Sequence, residues 1–338
     1  MQIVPIQPAP CPGQKEPWKT ELSDAITSCD ELLHELQLEH LLAGFVQHNP
    51  AFRLRVPRPF VAKIQKGQPA DPLLLQVLPT LRENEQTGLM DPVGDLATMP
   101  IPGLLHKYHG RALLITTGAC AIHCRYCFRR HFPYSETSDQ TSRRSGTLKY
   151  LREHPEIQEI ILSGGDPLML DDTKLANLCA ELETITHIKW LRLHTRLPVV
   201  LPSRINASLL QWMKNSRFKI TVVIHTNHAN ELAHEEMEAL QRLQDIRVNL
   251  LNQSVLLKDV NDNAASLIEL SHRLHDCGVS PYYLHLLDKV QGALHFDVDD
   301  AKACSIIAEM RSRLPGFLVP QLVREIANTD SKTAIFDI

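Results

Sequence analysis

An α/β fold built on a curved or partial parallel barrel is the architecture this sequence predicts, and three observations predict it. From Arg111 onward short apolar runs recur, separated by stretches long enough for a crossover helix and too long for a hairpin. Polar, chemistry-bearing residues gather just beyond those runs, where parallel barrels place their active sites. The segment before them, from Trp18 to about Pro100, has helical periodicity instead.

At the N-terminus MQIVPIQPAPCPGQKEPWK is proline-rich, with no apolar run fit for a signal peptide or membrane helix, so a cytoplasmic protein is expected. Next, Leu32, Leu33, Leu36, Leu38, Leu41 and Leu42 approximate a helical stripe, with SDAITSCDELL supplying caps. Six strands are predicted, at Ala112 to Thr117, Glu159 to Ser163, Lys189 to His194, Lys219 to His225, Ile246 to Asn252 and Pro281 to Leu287. The chain divides into an N-terminal helical segment (1–98), a partial barrel (99–315) and a C-terminal tail (316–338). Its 338 residues and 43% hydrophobic content suffice for one large core with a smaller appendage. A net charge of -4 argues against nucleic acid or an anionic membrane as partner and favours a small-molecule or protein substrate.

Of the eight cysteines, Cys11, Cys29, Cys179, Cys277 and Cys304 are scattered, but Cys120, Cys124 and Cys127 form CxxxCxxC on the loop after the first strand. Three thiolates there can hold three irons of a cubane cluster and leave the fourth iron open to a small molecule. A structural zinc site wants four closed ligands, and only His123 and His131 stand near to complete one. After the second strand comes SGGD (Ser163, Gly164, Gly165, Asp166), which by itself suits a tight turn or a ligand loop equally. Arg196 follows the third strand, His225 to His228 the fourth, Gln253 and Ser254 the fifth, and Asp288 the sixth. Arg111 and Lys332 read on their own as ordinary surface cations.

CRYCFRRHF, SGGDPL, TRLPVVLPSRI, HTNHANEL and NQSVLLKDVND, in this order, resemble the radical S-adenosylmethionine lysine 2,3-aminomutase family over most of residues 100 to 332. That resemblance implies a partial (β/α)6 barrel of the radical S-adenosylmethionine type, closed by the C-terminal tail. It implies a 4Fe-4S cluster on Cys120, Cys124 and Cys127, whose open iron chelates S-adenosylmethionine and yields a 5'-deoxyadenosyl radical. Ser163, Gly164, Gly165, Asp166, His225 and Gln253 would line that cosubstrate. Pyridoxal 5'-phosphate would sit on Lys332, as a Schiff base, with Arg111 at its phosphate. The approach to the lysine, IANTDSK, replaces the family's glycine-rich stretch.

The resemblance also assigns a substrate pocket. Arg129 matches the arginine that pairs with the substrate carboxylate, a contact suited to its planar fork. Asp288 and Glu325 match the two acids that hold a distal ammonium, although longer members have aspartate at the second position. Two carboxylates aimed at one point repel unless a cation lies between them, which favours a diamino acid. Conversion of L-α-lysine to β-lysine is the implied reaction, with an electron donor as partner. The chain stops at Ile338 with no cysteine after Cys304. In this, and in LLDKVQGALHF, it resembles the short branch that makes (R)-β-lysine for attachment to elongation factor P. A glutamate or arginine aminomutase, or a non-catalytic metal-binding protein, are the rival readings.

Overall fold

The computed structural model describes residues 16–44, 52–137 and 140–335. The proline-rich N-terminus with Cys11, and residues 336–338 of the tail, lie outside the described residues. Among the described residues four short helices come first: α1 (Pro17–Ser23), α2 (Cys29–Glu35), α3 (Arg58–Val61) and α4 (Pro72–Leu75). Ser28 caps α2 through Glu31 N, and Asp71 caps α4 through Leu73 N and Leu74 N, each satisfying amides the first turn leaves open. The leucine stripe is buried as expected from Leu32 to Leu38, yet α2 stops at Glu35 because Gln37 turns left-handed at φ 59.

Among the described residues nine strands follow one another across a single sheet in chain order: β1 (Leu104–Tyr108), β2 (Arg111–Thr117), β3 (Glu159–Gly164), β4 (Trp190–Thr195), β5 (Lys219–His225), β6 (Asn249–Val255), β7 (Ser280–His285), β8 (Gln321–Arg324) and β9 (Thr333–Ala334). From β2 to β8 every pairing is parallel, and β1 and β9 close the two ends antiparallel. Parallel neighbours require crossovers, supplied by α5 (Gln140–Glu153), α6 (Asp172–Glu183), α7 (Leu197–Val200), α8 (Ala207–Asn215), α9 (His234–Asp245), α10 (Ala264–Asp276) and α11 (Asp300–Arg313). Asp171, Asn206, Asn263 and Asp299 cap α6, α8, α10 and α11 with their side chains.

The partial α/β barrel therefore forms, with the six expected strands as β2 to β7. It gains a seventh parallel strand, β8, inside the tail, and a β1–β2 hairpin turned at Gly110 with φ +77. The expected strand Ile246 to Asn252 begins three residues late, at Asn249, because Ile246 caps α9 and Arg247 reverses the chain at φ 63. One apolar cluster runs from Trp18 and Leu33 through Leu193 and Val222 to Leu322, so helical segment and barrel share a core. Each fully buried aliphatic side chain there contributes roughly 1.5–3 kcal/mol. Lys63 ties the two together through Val199 O, Glu231 O and Glu236 Oε1 at 2.7–2.9 Å. No helix among the described residues is long and apolar enough to cross a membrane.

Candidate active site

A cavity of about 290 Å³ opens at the carboxyl ends of the strands, and the residues expected to hold the cluster, the cofactors and the substrate all line it, whereas Ser254, His228 and His131 do not. Cys120, Cys124 and Cys127, Ser163 to Asp166, His225, Gln253 and Arg129 share this space with Arg111, Asp288, Glu325 and Lys332. The loop holding the thiols is pinned from beneath. Arg125, fully buried, forks onto Glu83 at 2.8 and 2.5 Å, and Arg130 reaches the same carboxylate at 2.6 Å. Burial, then repulsion from Cys127, Asp166 and Cys124, pushes the Cys120 thiol well above its ordinary range; burial and Cys124 push Cys127 up to about 11.

Cys124 raises both of its neighbours although Arg196 Nη1 lies 2.7 Å from its own sulfur, and a bound metal group would bring the further positive charge that three buried thiolates need. Among the described residues no three His, Cys, Asp or Glu side chains converge as ligands of a single ion. Zinc needs four ligands at one centre, whereas a cubane takes each thiolate on a different iron, so three thiols from one loop lining one cavity suit the cluster.

Beside the thiols, the SGGD segment is stitched to the cluster loop by Gly165 N to Thr117 O at 2.7 Å and Asp166 N to Ala119 O at 2.9 Å. A Cβ on Gly165 would stand 2.3 Å from Ala119 O, and one on Gly164 2.5 Å from Thr117 O, so both glycines are required by backbone contact. Asp166 accepts from Leu168 N, Thr195 Oγ1 and Arg196 N, and burial lifts it to about 6 against those hydrogen bonds. Its carboxylate thus organises the next loop. His225 is held near a pKa of 3, first by burial and then by Arg196, and Tyr126 Oη lies 2.7 Å from its Nε2. Gln253 pairs with it across β5 and β6.

On the opposite wall five groups of alternating charge form a chain. Arg129 Nε contacts Asp95 Oδ2 at 2.7 Å, and Asp95 Oδ1 takes Lys107 Nζ at 2.6 Å. Lys107 also contacts Glu325 Oε1 at 3.1 Å, and Glu325 Oε2 takes Lys332 Nζ at 2.6 Å. Burial works against the Glu325 charge, but Lys332 and Lys107 outweigh it and hold that carboxyl well below its usual range. Arg129 Nη1 donates to Ser163 Oγ at 3.1 Å, joining this wall to the SGGD turn. Lys332 Nζ stands 5.8 Å over the Tyr283 ring, and Arg111 lies 4.6 Å over Tyr108 rather than out in solvent.

Asp288 differs from Glu325. Among the described residues its Oδ1 is buried without a hydrogen-bond partner, as is His194 Nε2. Burial first, and Glu325 second, push Asp288 up to about 7. Orphaned polar atoms in one cavity mark places where a ligand's groups belong. Asp95, Lys107, His194 and Tyr283 were not foreseen from the sequence, and Arg196 was noted only by position. The turn His109-Gly110 between two apolar runs was the available signal for β1 and hence for Lys107.

The family model described as the radical SAM superfamily matches residues 114–270. Fold, thiol loop and match together define the class: a radical S-adenosylmethionine enzyme, which works with a four-iron cluster and S-adenosylmethionine. The chain is 49% identical to the L-lysine 2,3-aminomutase of Escherichia coli (strain K12), across 95% of each chain. That of Haemophilus influenzae is 45% identical over 98% of this chain and 99% of its own. The enzyme of that name from Clostridium subterminale is 33% identical over 94% of this chain and 77% of its own. Among solved structures, a radical SAM methyltransferase from Sphaerobacter thermophilus aligns with a TM-score of 0.46 and 14% identity, covering 65% of this chain and 68% of that one. The chain belongs to the L-lysine 2,3-aminomutase family, whose reaction class is isomerisation.

Proposed function

We propose that this cavity binds L-lysine together with pyridoxal phosphate and moves the substrate's amino group from C2 to C3, giving (R)-β-lysine. The observation that carries this reading is the wall on which Arg129, Asp288, Glu325 and Lys332 stand in one cavity with the three thiols. Cys120, Cys124 and Cys127 hold the cluster, and Ser163 to Asp166, His225 and Gln253 border the cosubstrate. Lys332 carries pyridoxal phosphate, with Arg111 beside its phosphate. When bound, these groups supply a radical that removes and returns a hydrogen, and a conjugated system that stabilises the unpaired electron during migration.

The chain's own residues bind, orient and exclude. Arg129 is braced by Asp95 and Ser163, which leaves Nη2 without a hydrogen bond among the described residues and able to meet the substrate carboxylate. At the far end Asp288 offers its orphaned oxygen to the distal ammonium, and the incoming cation relieves the repulsion that Glu325 exerts on it. Holding both ends fixes the C2–C3 segment relative to the cosubstrate, and the walls of Tyr126, Val255 and Leu287 keep water away from it. A glutamate substrate would place a third carboxylate against Asp288 and Glu325, so the pocket disfavours it.

An anaerobic assay of lysine, ornithine, arginine and glutamate, with S-adenosylmethionine, pyridoxal phosphate and a strong reductant, tests the reading. Lysine should be turned over preferentially; equal rates on glutamate would overturn it. A cytoplasmic setting and a low-potential electron donor complete the proposal, as does delivery of β-lysine to elongation factor P, supported by the short-branch character of LLDKVQGALHF. Elongation factor P from cells lacking this enzyme should lose the mass of a β-lysyl group, and an unchanged mass would remove that role.

A further inference from the structure

We infer that Arg196 is a positioning residue that tunes the reduction potential of the cluster, through a hydrogen bond to the Cys124 sulfur from a guanidinium the fold locks in place. The inference rests on the reading that the cysteine loop holds that cluster. Arg196 follows β4 directly, and its guanidinium is buried. Nη1 lies 2.7 Å from Cys124 Sγ, while Nη2 donates to Gln76 Oε1 at 2.7 Å and Glu231 Oε2 at 2.8 Å. Its backbone N–H is fixed on Asp166 at 2.7 Å, and the rings of Phe60 and Tyr126 flank its guanidinium at 5.4 and 5.9 Å.

The acceptors are themselves immobilised. Glu231 Oε1 takes Gln76 Nε2, Asn227 N and His228 N at 2.8–3.1 Å, and Gln76 Oε1 also takes Asn227 Nδ2 at 3.0 Å. The guanidinium therefore cannot swing away without abandoning a buried carboxylate, which a low-dielectric interior penalises heavily. Gln76 and Glu231 both accept from Nη2, while Nε is buried without a hydrogen-bond partner among the described residues. The donor aimed at sulfur is additional, and it distinguishes Cys124 from Cys127, which receives a backbone N–H from Arg129. A cation and an N–H donor at a ligating sulfur withdraw electron density and favour the state with one more electron, so the potential rises.

The test uses full-length protein isolated anaerobically as wild type, Arg196→Lys, Arg196→Met and Glu231→Gln. Iron and sulfide content, the midpoint potential by redox titration, and S-adenosylmethionine binding are measured on each. Arg196→Met should lower the ratio of reduced to oxidised cluster at a fixed potential about tenfold, a shift of about 59 mV for a one-electron couple. Arg196→Lys keeps the charge without the fork and should fall between; Glu231→Gln removes an opposing charge and should shift the potential upward even if Arg196→Met does not fold. Iron-replete arginine variants with unmoved potentials would overturn the inference. Lost S-adenosylmethionine binding at an unchanged potential would do the same and give Arg196 to the cosubstrate. Wild type without iron would instead bring down the cluster reading, and this inference with it.

Discussion

Two acids that look interchangeable in sequence are set by their surroundings to opposite states. Glu325 is held ionised by two lysines, while Asp288, orphaned and buried, is pushed up to about 7. A carboxyl whose folded pKa lies above its unfolded value keeps its proton longer in the folded state, so stability declines as pH rises from about 4 to about 7. Asp288→Asn should remove that decline, making the apoprotein relatively more stable than wild type at pH 8 than at pH 5 in thermal melts. Lysine, by contrast, needs the ionised form, so its KM should fall as pH rises through 7 in wild type and stay high in Asp288→Asn, at a cost of about 2–5 kcal/mol in binding. A variant with undiminished lysine turnover would detach Asp288 from substrate reading. Lys332 makes a simpler prediction: borohydride reduction of the pyridoxal-loaded enzyme, followed by peptide mapping, should find the label on Lys332, and label on another lysine would refute its role.

Among the elements, the turn after β3 shows how sequence and site are joined. Gly165 admits no Cβ because Ala119 O would stand 2.3 Å away, and the obstacle is backbone, which cannot rotate aside. Gly165→Ala should cost roughly 1–3 kcal/mol by overpacking and displace the thiol loop, reducing bound iron. Gly316→Ala, where nothing among the described residues lies within 4 Å of an added Cβ, is the control, and equal iron content in the two would show that the contact does not position the loop. The strands were legible because buried parallel strands read as near-continuous apolar runs, and β5 falls where it was expected, at Lys219–His225. The start of β6 was not, because Ile246 continues the apolar face of α9 (Leu240, Leu243) and an apolar residue at a helix end looks like a strand beginning. Short β8 and β9 owe their pairing to the sheet edge they meet rather than to their own pattern.

Over the whole molecule, the site is completed by residues whose importance appears only when distant parts of the chain meet. Asp95 comes from a loop of the N-terminal segment, Lys107 from β1, Arg129 from the thiol loop, Glu325 from beyond β8 and Lys332 from before β9. No local spacing announces such a chain, which is why the motif-borne cysteines were readable and Asp95 and Lys107 were not. At its centre Lys107 Nζ donates to Glu325 and to Val93 O and is ion-paired with Asp95. Lys107→Met leaves two buried carboxylates with one cation each, and breaking a buried pair from one side costs about 3–5 kcal/mol. Both ends of the substrate pocket should loosen together, because Asp95 braces Arg129 and Glu325 stands beside Asp288 and Lys332. The expected result is a lower melting temperature and a raised KM for lysine, with Lys107→Arg retaining more of both because it keeps the charge. A double-mutant cycle with Asp95→Asn should be strongly non-additive, since the two groups share one network. Additive losses, or a Lys107→Met enzyme with wild-type KM, would mean that the two ends of the cavity are set independently.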